Sequence, residues 1–262
     1  MARLAPYRVE AYNTAKLSEN RMHDDSVAQK YGFKGGLVPG VDVLAYMIHA
    51  PVERWGEAFL QRGFIEARFI KPVYDGEIIL IKSEEADGTL ALTVEGDEMK
   101  TSGKASLTGT IPTFSLADFP NTAPVTTRMP AGPTSYQIGR WLGTTPRSWD
   151  EQATIEYCAE VRETHPIYAR KGLVHPGVLQ RIMNRVLMEN ALLGPWIHIG
   201  SRMQLLAAAA CGDELTARAR VTGNYEKNAH RFVEVDALSV ANDQAPVAYC
   251  SHFAIYQLRT LK

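Results

Sequence analysis

Two stretches of the 262-residue chain decide how it reads: Gly36-Leu37-Val38-Pro39-Gly40-Val41 and Gly172-Leu173-Val174-His175-Pro176-Gly177-Val178. They start 136 residues apart, and the same spacing separates Gly76-Glu77 from Gly212-Asp213. One spacing shared by two landmarks predicts an internal duplication. After the first stretch, Val41 to Trp55 forms an apolar helical run with few charges, which Pro51 kinks or ends. After the second, Val178/Leu179, Ile182/Met183 and Val186/Leu187 recur at helical spacing, with Gln180, Arg181, Asn184 and Arg185 opposite.

Beyond each helix the period changes from 3.6 to 2. Leu215, Ala217, Ala219 and Val221 alternate with Thr216, Arg218, Arg220 and Thr222, predicting a strand with one face on a core and one in solvent. Further strands are expected near 229–240 and 246–258, turning at Asn242-Asp243, and in the first half at 64–70, 77–85, 89–95 and 103–110, with a hairpin at Asp87-Gly88. Each half is one long helix followed by an antiparallel meander, an α+β class. The expected repeats are 1–112 and 148–262. The connector, 113–147, is proline-rich: from Ile111 to Arg147 the chain holds six of the fourteen prolines, and Phe114, Phe119, Tyr136 and Trp141 predict that this stretch lies against the protein.

Composition narrows the function. Hydrophobic residues make up 45%, and 28 basic against 29 acidic residues leave a net charge of -1, which gives no field for nucleic acid or an anionic membrane. The three cysteines are too scattered for a disulfide framework or a zinc ribbon, so a reducing cytoplasm is expected. The first residues lack the apolar core of a signal peptide, no run reaches the ~18 apolar residues of a membrane span, and the chain is not expected to be exported. The seven histidines are dispersed without metal-ligand spacing, and Lys34-Gly35-Gly36 lacks the spacing of a phosphate loop. No metal or bound cofactor is expected.

A helix wrapped by a long antiparallel sheet, present twice and joined by a connector, resembles the double hot-dog proteins of the MaoC-like acyl dehydratase and (R)-specific enoyl-CoA hydratase family. There the helix follows a loop of the form D-x-N-P-L-H and then G-x-(I/V/L)-V-x-(G/P). The second element occurs in both halves here, and the first is altered in both. Ser18-Glu19-Asn20-Arg21-Met22-His23 keeps the Asn and the His but has Ser18 at the acid. Glu163-Thr164-His165-Pro166-Ile167-Tyr168 keeps the Pro, with Glu163 for the Asp, His165 for the Asn and Tyr168 for the His.

The resemblance implies a hydro-lyase acting on an acyl thioester of coenzyme A or a carrier protein. That chemistry needs a base for water, an acid or donor beside it, and donors to the thioester carbonyl. Glu163 is the candidate base, helped by His165 or His175; Ser18 cannot act as a base unaided, which makes its half the degenerate one. Tyr168 is a candidate carbonyl donor or a packed core residue. His23, with Asn20, either faces a pseudo-equivalent site or merely flanks a helix capped by Asp24 or Asp25. The amides at Gly40 and Gly177, where the central helices begin, are the candidate carbonyl donors. Two rivals stay open: a thioesterase, in which Glu163 directs water at the carbonyl, and a non-catalytic acyl-binding pocket. A chain holding both repeats already contains the pairing that single repeats make between chains, which leaves open a monomer or a homodimer through another surface, dimerisation being the commoner habit.

Overall fold

The computed structural model describes residues 2–259. One 12-stranded antiparallel sheet runs through the whole protein. In the first half, β1 (Ala2–Arg3) and β2 (Tyr7–Glu10) pair with β4 (Ile78–Ala86); β5 (Thr89–Glu95), β6 (Met99–Leu107) and β3 (Gly63–Phe69) follow in space. The second half continues the sheet with β9 (Ile197–Leu205), β12 (Ala245–Gln257), β11 (His230–Ala241) and β10 (Glu214–Lys227), whose edge is covered by β7 (Trp141–Gly143) and β8 (Arg147–Ser148). The seam is β3 on β9, from Phe64 opposite Gln204 to Arg68 opposite Gly200. Both halves thereby lose an edge that would otherwise be an open template for pairing.

Two central helices fill the sheet. α2 (Gly40–Trp55) packs on β2, β3, β4, β5 and β9, and α6 (Pro176–Met188) on β7, β10 and β12. They also pack on each other, with no room for a side chain at Gly177: a Cβ there would lie 2.8 Å from that of Ala45 and 2.1 Å from Tyr157 Oη. α2 runs through Pro51 to Trp55 rather than ending there. The hairpin turn has Asp87 at φ 51° and Gly88 at φ 73°, the left-handed pair of a two-residue β-turn, and Asn242-Asp243 repeats it at 53° and 56°. Among the described residues no helix is long and apolar enough to cross a membrane.

Several departures from the sequence reading come from polar groups buried against partners distant in the chain. Half of the β10 face expected in solvent is buried: Thr216 and Arg218 are covered, Arg218 donating to the connector carbonyls of Leu116 and Phe119, while Arg220 and Thr222 are exposed. The connector is itself partly structural, since β7 lies within it, Tyr136 is buried with its hydroxyl on Leu187 O, and Phe114 stacks on Tyr249 at 4.6 Å. The polar side of α6 is not a solvent face either: Gln180 is buried and accepts from Ser201 Oγ. β9 gives a weak strand signal because His198, Ser201 and Gln204 interrupt its apolar alternation. A further helix, α4 (Glu151–Glu160), is capped by the Asp150 carboxylate, which accepts from Ala153 N at 2.8 Å.

One buried polar cluster ties the halves together, and a second lies within the second half. Asp42, fully buried on the first turn of α2, accepts from Arg181 Nε at 2.9 Å and Nη2 at 3.2 Å and from Thr14 Oγ1 at 2.6 Å. Arg181 in turn reaches Glu160 at 2.7 Å and lies 4.4 Å over the Tyr157 ring. On the sheet, His198 of β9 stacks on His252 of β12 at 4.1 Å, with Ser201 Oγ 2.7 Å from His198 Nε2 and 3.3 Å from His252 Nδ1. Burial pushes the His198 imidazole down to about 3, and burial together with His198 pushes His252 well below its usual value.

Removing Asp42 strands a partly buried guanidinium. Asp42→Ala should cost about 2 kcal/mol in chemical denaturation, below the ~3–5 kcal/mol of a fully sealed pair because Glu160 and solvent still reach Arg181; Asp42→Leu with Arg181→Met should cost less than the single change. The histidine pair sets an acid limit. Between pH ~6.5, where free histidine titrates, and about 3, the unfolded chain binds protons that folded His198 refuses, so stability falls as pH falls through that window. The thermal midpoint should track this fall, and His252→Phe should flatten it; an unchanged slope would count against the assignment.

Candidate functional site

The second motif loop lies between α4 and α5 (Ile167–Lys171). Arg162 turns the chain there with φ 55°, Tyr7 donates its hydroxyl to Arg162 O, and Glu163 N donates to Cys158 O at 2.8 Å. A left-handed non-glycine residue held in this way fixes the aim of the next side chain. The Glu163 carboxylate points inward, 2% exposed, to where α2 passes. Its Oε1 accepts from His49 Nδ1 at 2.7 Å and from His165 N at 2.7 Å. Its Oε2 faces His175 Nε2 at 3.6 Å, too long for a good hydrogen bond.

Hydrogen bonding fixes the protons. A carboxylate only accepts, so His49 Nδ1 carries hydrogen. His175 Nδ1 accepts from Gly177 N at 2.9 Å, so its hydrogen is on Nε2, toward Glu163. His165 Nδ1 accepts from Ile167 N at 3.2 Å, so its Nε2 also carries hydrogen; that nitrogen lies 3.8 Å from Glu53. Burial pushes the Glu163 carboxyl up, but the N–H groups that His175 and His49 turn toward it outweigh burial and hold the group well below the usual carboxylate range.

The nitrogen left over, His49 Nε2, hydrogen-bonds no group among the described residues. His49 lines a cavity of about 410 Å³ together with Pro6, Tyr7, Glu53, Thr164 and His165. The Tyr7 ring stacks on His49 at 3.6 Å, and burial, with the Glu163 charge adding to it, pushes its phenol up to about 12. Glu163 itself does not line the cavity and meets it only through His49. Tyr168 is buried against His175, ring to ring at 4.7 Å. The Gly177 amide, a candidate carbonyl donor, is spent on the His175 cap, and the glycine serves the helix crossing.

The first motif is arranged differently. Asn20 accepts from Trp196 N at 3.2 Å, donates to Trp196 O at 3.0 Å and lies 3.1 Å from His23 Nε2. His23 Nδ1 donates to Leu37 O at 2.6 Å, so Nε2 is the lone pair that accepts from Asn20. Burial holds His23 below its usual value, with the Leu37 bond opposing. Both residues thus fasten the loop to the second half. They line a larger cavity, about 510 Å³, with Ser18, Asp42 and Arg181. Gly40 N and Val41 N, at the open end of α2, donate to no group among the described residues. Glu163, His165, His175 and Tyr168 therefore gather around the second motif loop, with Gly177 at the helix crossing, and His23, Asn20 and Gly40 lie around the first.

Sequence reading missed His49, a residue of the opposite repeat. Its signal is a polar file, Asp42, Tyr46, His49 and Glu53, at helical spacing on an otherwise apolar helix. Among the described residues no group of three histidine, cysteine or carboxylate side chains has the geometry to hold a metal ion.

No protein-family model matches the chain, and no curated protein matches it. Solved structures do. A protein described as a MaoC domain dehydratase from Chloroflexus aurantiacus superimposes with a TM-score of 0.68 at 11% identity, over 98% of this chain and 95% of that one. A conserved Mycobacterium tuberculosis protein described as a double hot-dog gives 0.64 at 14% identity, over 95% and 96%. A protein described as an oleoyl thioesterase, from Lactobacillus plantarum, gives 0.53 at 8% identity, over 97% and 96%. Likeness at these identities speaks of fold. The chain is a double hot-dog protein, similar over nearly its whole length to structures described as MaoC-like dehydratases.

Proposed function

We propose that the protein is a hydro-lyase acting on an acyl thioester of coenzyme A or of a carrier protein, built as repeats 1–112 and 148–262 about the connector 113–147. One observation carries this reading: the sealed Glu163 carboxylate holds His49 Nδ1 at 2.7 Å, and His49, its Nε2 unpartnered, lines a cavity walled by both halves. A histidine oriented by a buried carboxylate is a general base suited to neutral pH. His175 stands behind Glu163 and supports its charge.

In hydration of an enoyl thioester, the water oxygen bonds the β-carbon while one of its protons passes to His49 Nε2. The electron pair of the double bond moves to the α-carbon, which takes a proton back from His49. Charge building on the thioester oxygen needs a donor, and the Nε2–H of His165, on the same cavity wall, supplies it. Tyr7, stacked flat on His49, keeps the ring from rotating. Glu163 is a positioning residue in this scheme, and Tyr168 a packing one. His23 and Asn20 belong to the half without an acid. The thioesterase reading uses the same pair to aim water at the carbonyl carbon, and free thiol appears only then.

Hydration of crotonyl-coenzyme A, followed by loss of enoyl absorbance, should fall about 100- to 10,000-fold in His49→Ala. Added imidazole should restore part of that rate. Glu163→Gln should lower kcat with KM little changed, and His23→Ala should keep most of the activity. Full activity in His49→Ala would refute the base assignment; thiol release without hydration would turn the reading to hydrolysis.

A further inference from the structure

The larger cavity, about 510 Å³ beside the first motif, takes no part in the mechanism above. Its walls are mainly apolar, with Val178 and Ile182 of α6, Leu215 of β10 and Trp196 among them. Asn20 and His23 are spent on fastening the loop, and burial keeps His23 from holding a proton at neutral pH. Charge sets this cavity apart from the other. Arg147, Arg181 and Arg185 all line it, against a single carboxylate, Asp42.

Two of the three cations are matched. Arg181 holds Asp42 and Glu160, and Arg185 Nε donates to Glu189 Oε1 at 2.7 Å. The other Glu189 oxygen accepts from Thr145 N at 2.6 Å, so that carboxylate is fully used. Arg147 is exposed and has no ion-pair partner among the described residues. It stands opposite Leu215 in the β8–β10 pairing, and directly opposed residues share a face, so it leans over the same side of the sheet as that buried leucine. Arg185 is close by, since its Nη2 donates to Thr145 O at 2.5 Å, two residues before Arg147. Its Nη1 bonds no protein group and is open to solvent. The like charge of Arg147 adds to burial in holding Arg185 below its ordinary value. Two guanidinium groups with free N–H donors thus meet at the rim of an apolar cavity, with one positive charge more than Glu189 cancels.

We propose that this cavity binds an aliphatic monocarboxylate, its head on Arg147 and Arg185 Nη1 and its chain against Val178, Ile182 and Leu215. A guanidinium matches the planar carboxylate, and one uncancelled charge suits a head carrying one charge rather than the two of a phosphate monoester. At the ~30 Å³ that one water occupies in the liquid, the volume suits about seventeen non-hydrogen atoms, enough for decanoate. Such a site is independent of His49 and of hydration.

Calorimetric titration with decanoate, decanol and decylamine tests this. Decanoate should bind saturably at one site, and decanol and decylamine, alike in chain but without the negative charge, about tenfold more weakly or worse. Arg147→Ala removes an exposed side chain, so the thermal midpoint should hold while decanoate binding weakens about tenfold, and Arg147→Lys should recover part of the loss. Met188→Trp, which narrows the cavity at a half-buried wall position, should weaken decanoate severalfold without touching either arginine. His49→Ala should bind decanoate like the parent protein, so loss of hydration and loss of this site are read separately. The proposal fails if decanoate does not bind, if decanol or decylamine binds as tightly, or if Arg147→Ala or Met188→Trp binds decanoate like the parent protein. It also fails if His49→Ala abolishes decanoate binding, since the acid would then sit in the smaller cavity.

Discussion

The main-chain ladder between β3 and β9 is the constraint from which the rest of the structure follows. It turns two helix–meander units into one continuous sheet, and a continuous sheet has room inside for both central helices only if they cross closely. The crossing is possible because Gly177 lacks a side chain where Ala45 and the Tyr157 hydroxyl stand. Once crossed, each helix passes beneath the other half's motif loop. His49 therefore lies under Glu163, and Arg181 lies beside Asp42, Ser18 and His23. Neither cavity belongs to one repeat.

The two motif loops have diverged in the use they make of polar side chains. In the first, every strong hydrogen-bonding atom of Asn20 and His23 is satisfied by the loop itself or by the main chain of Trp196 and Leu37. A group so fully bonded must break a contact before it can serve a ligand. In the second, the carboxylate has a neighbour on each oxygen, but the chain of contacts ends on an imidazole nitrogen at a cavity. This difference in what is left over, more than the identity of any one residue, separates a fastening from a reactive arrangement.

Sequence alone reached far into the fold, because duplication and period are local signals. The 136-residue spacing, the turns at Asp87-Gly88 and Asn242-Asp243 and most strand positions lay in short windows. Residues whose environment is made by another part of the chain were hidden. β9 reads poorly because Ser201 and His198 find their partners on β12 and α6, and Arg218 reads as a solvent residue because the connector that covers it begins a hundred residues earlier. At the site, Glu163, His165 and His175 are close in sequence and were legible together. His49, 114 residues from Glu163, was not, since nothing in its own helix reveals which loop the other repeat lays upon it.

Carrying both repeats on one chain has an evolutionary consequence. In a symmetric pair of single repeats, one gene encodes both loops, and any substitution in the motif is imposed on both crevices at once. Here each loop is inherited separately. The serine at position 18 in one loop places no constraint on the carboxylate at 163 in the other, and the histidine at position 49 need have no counterpart in the second copy. Selection can thus hold one crevice to its chemistry while the other drifts toward adhesion between the lobes.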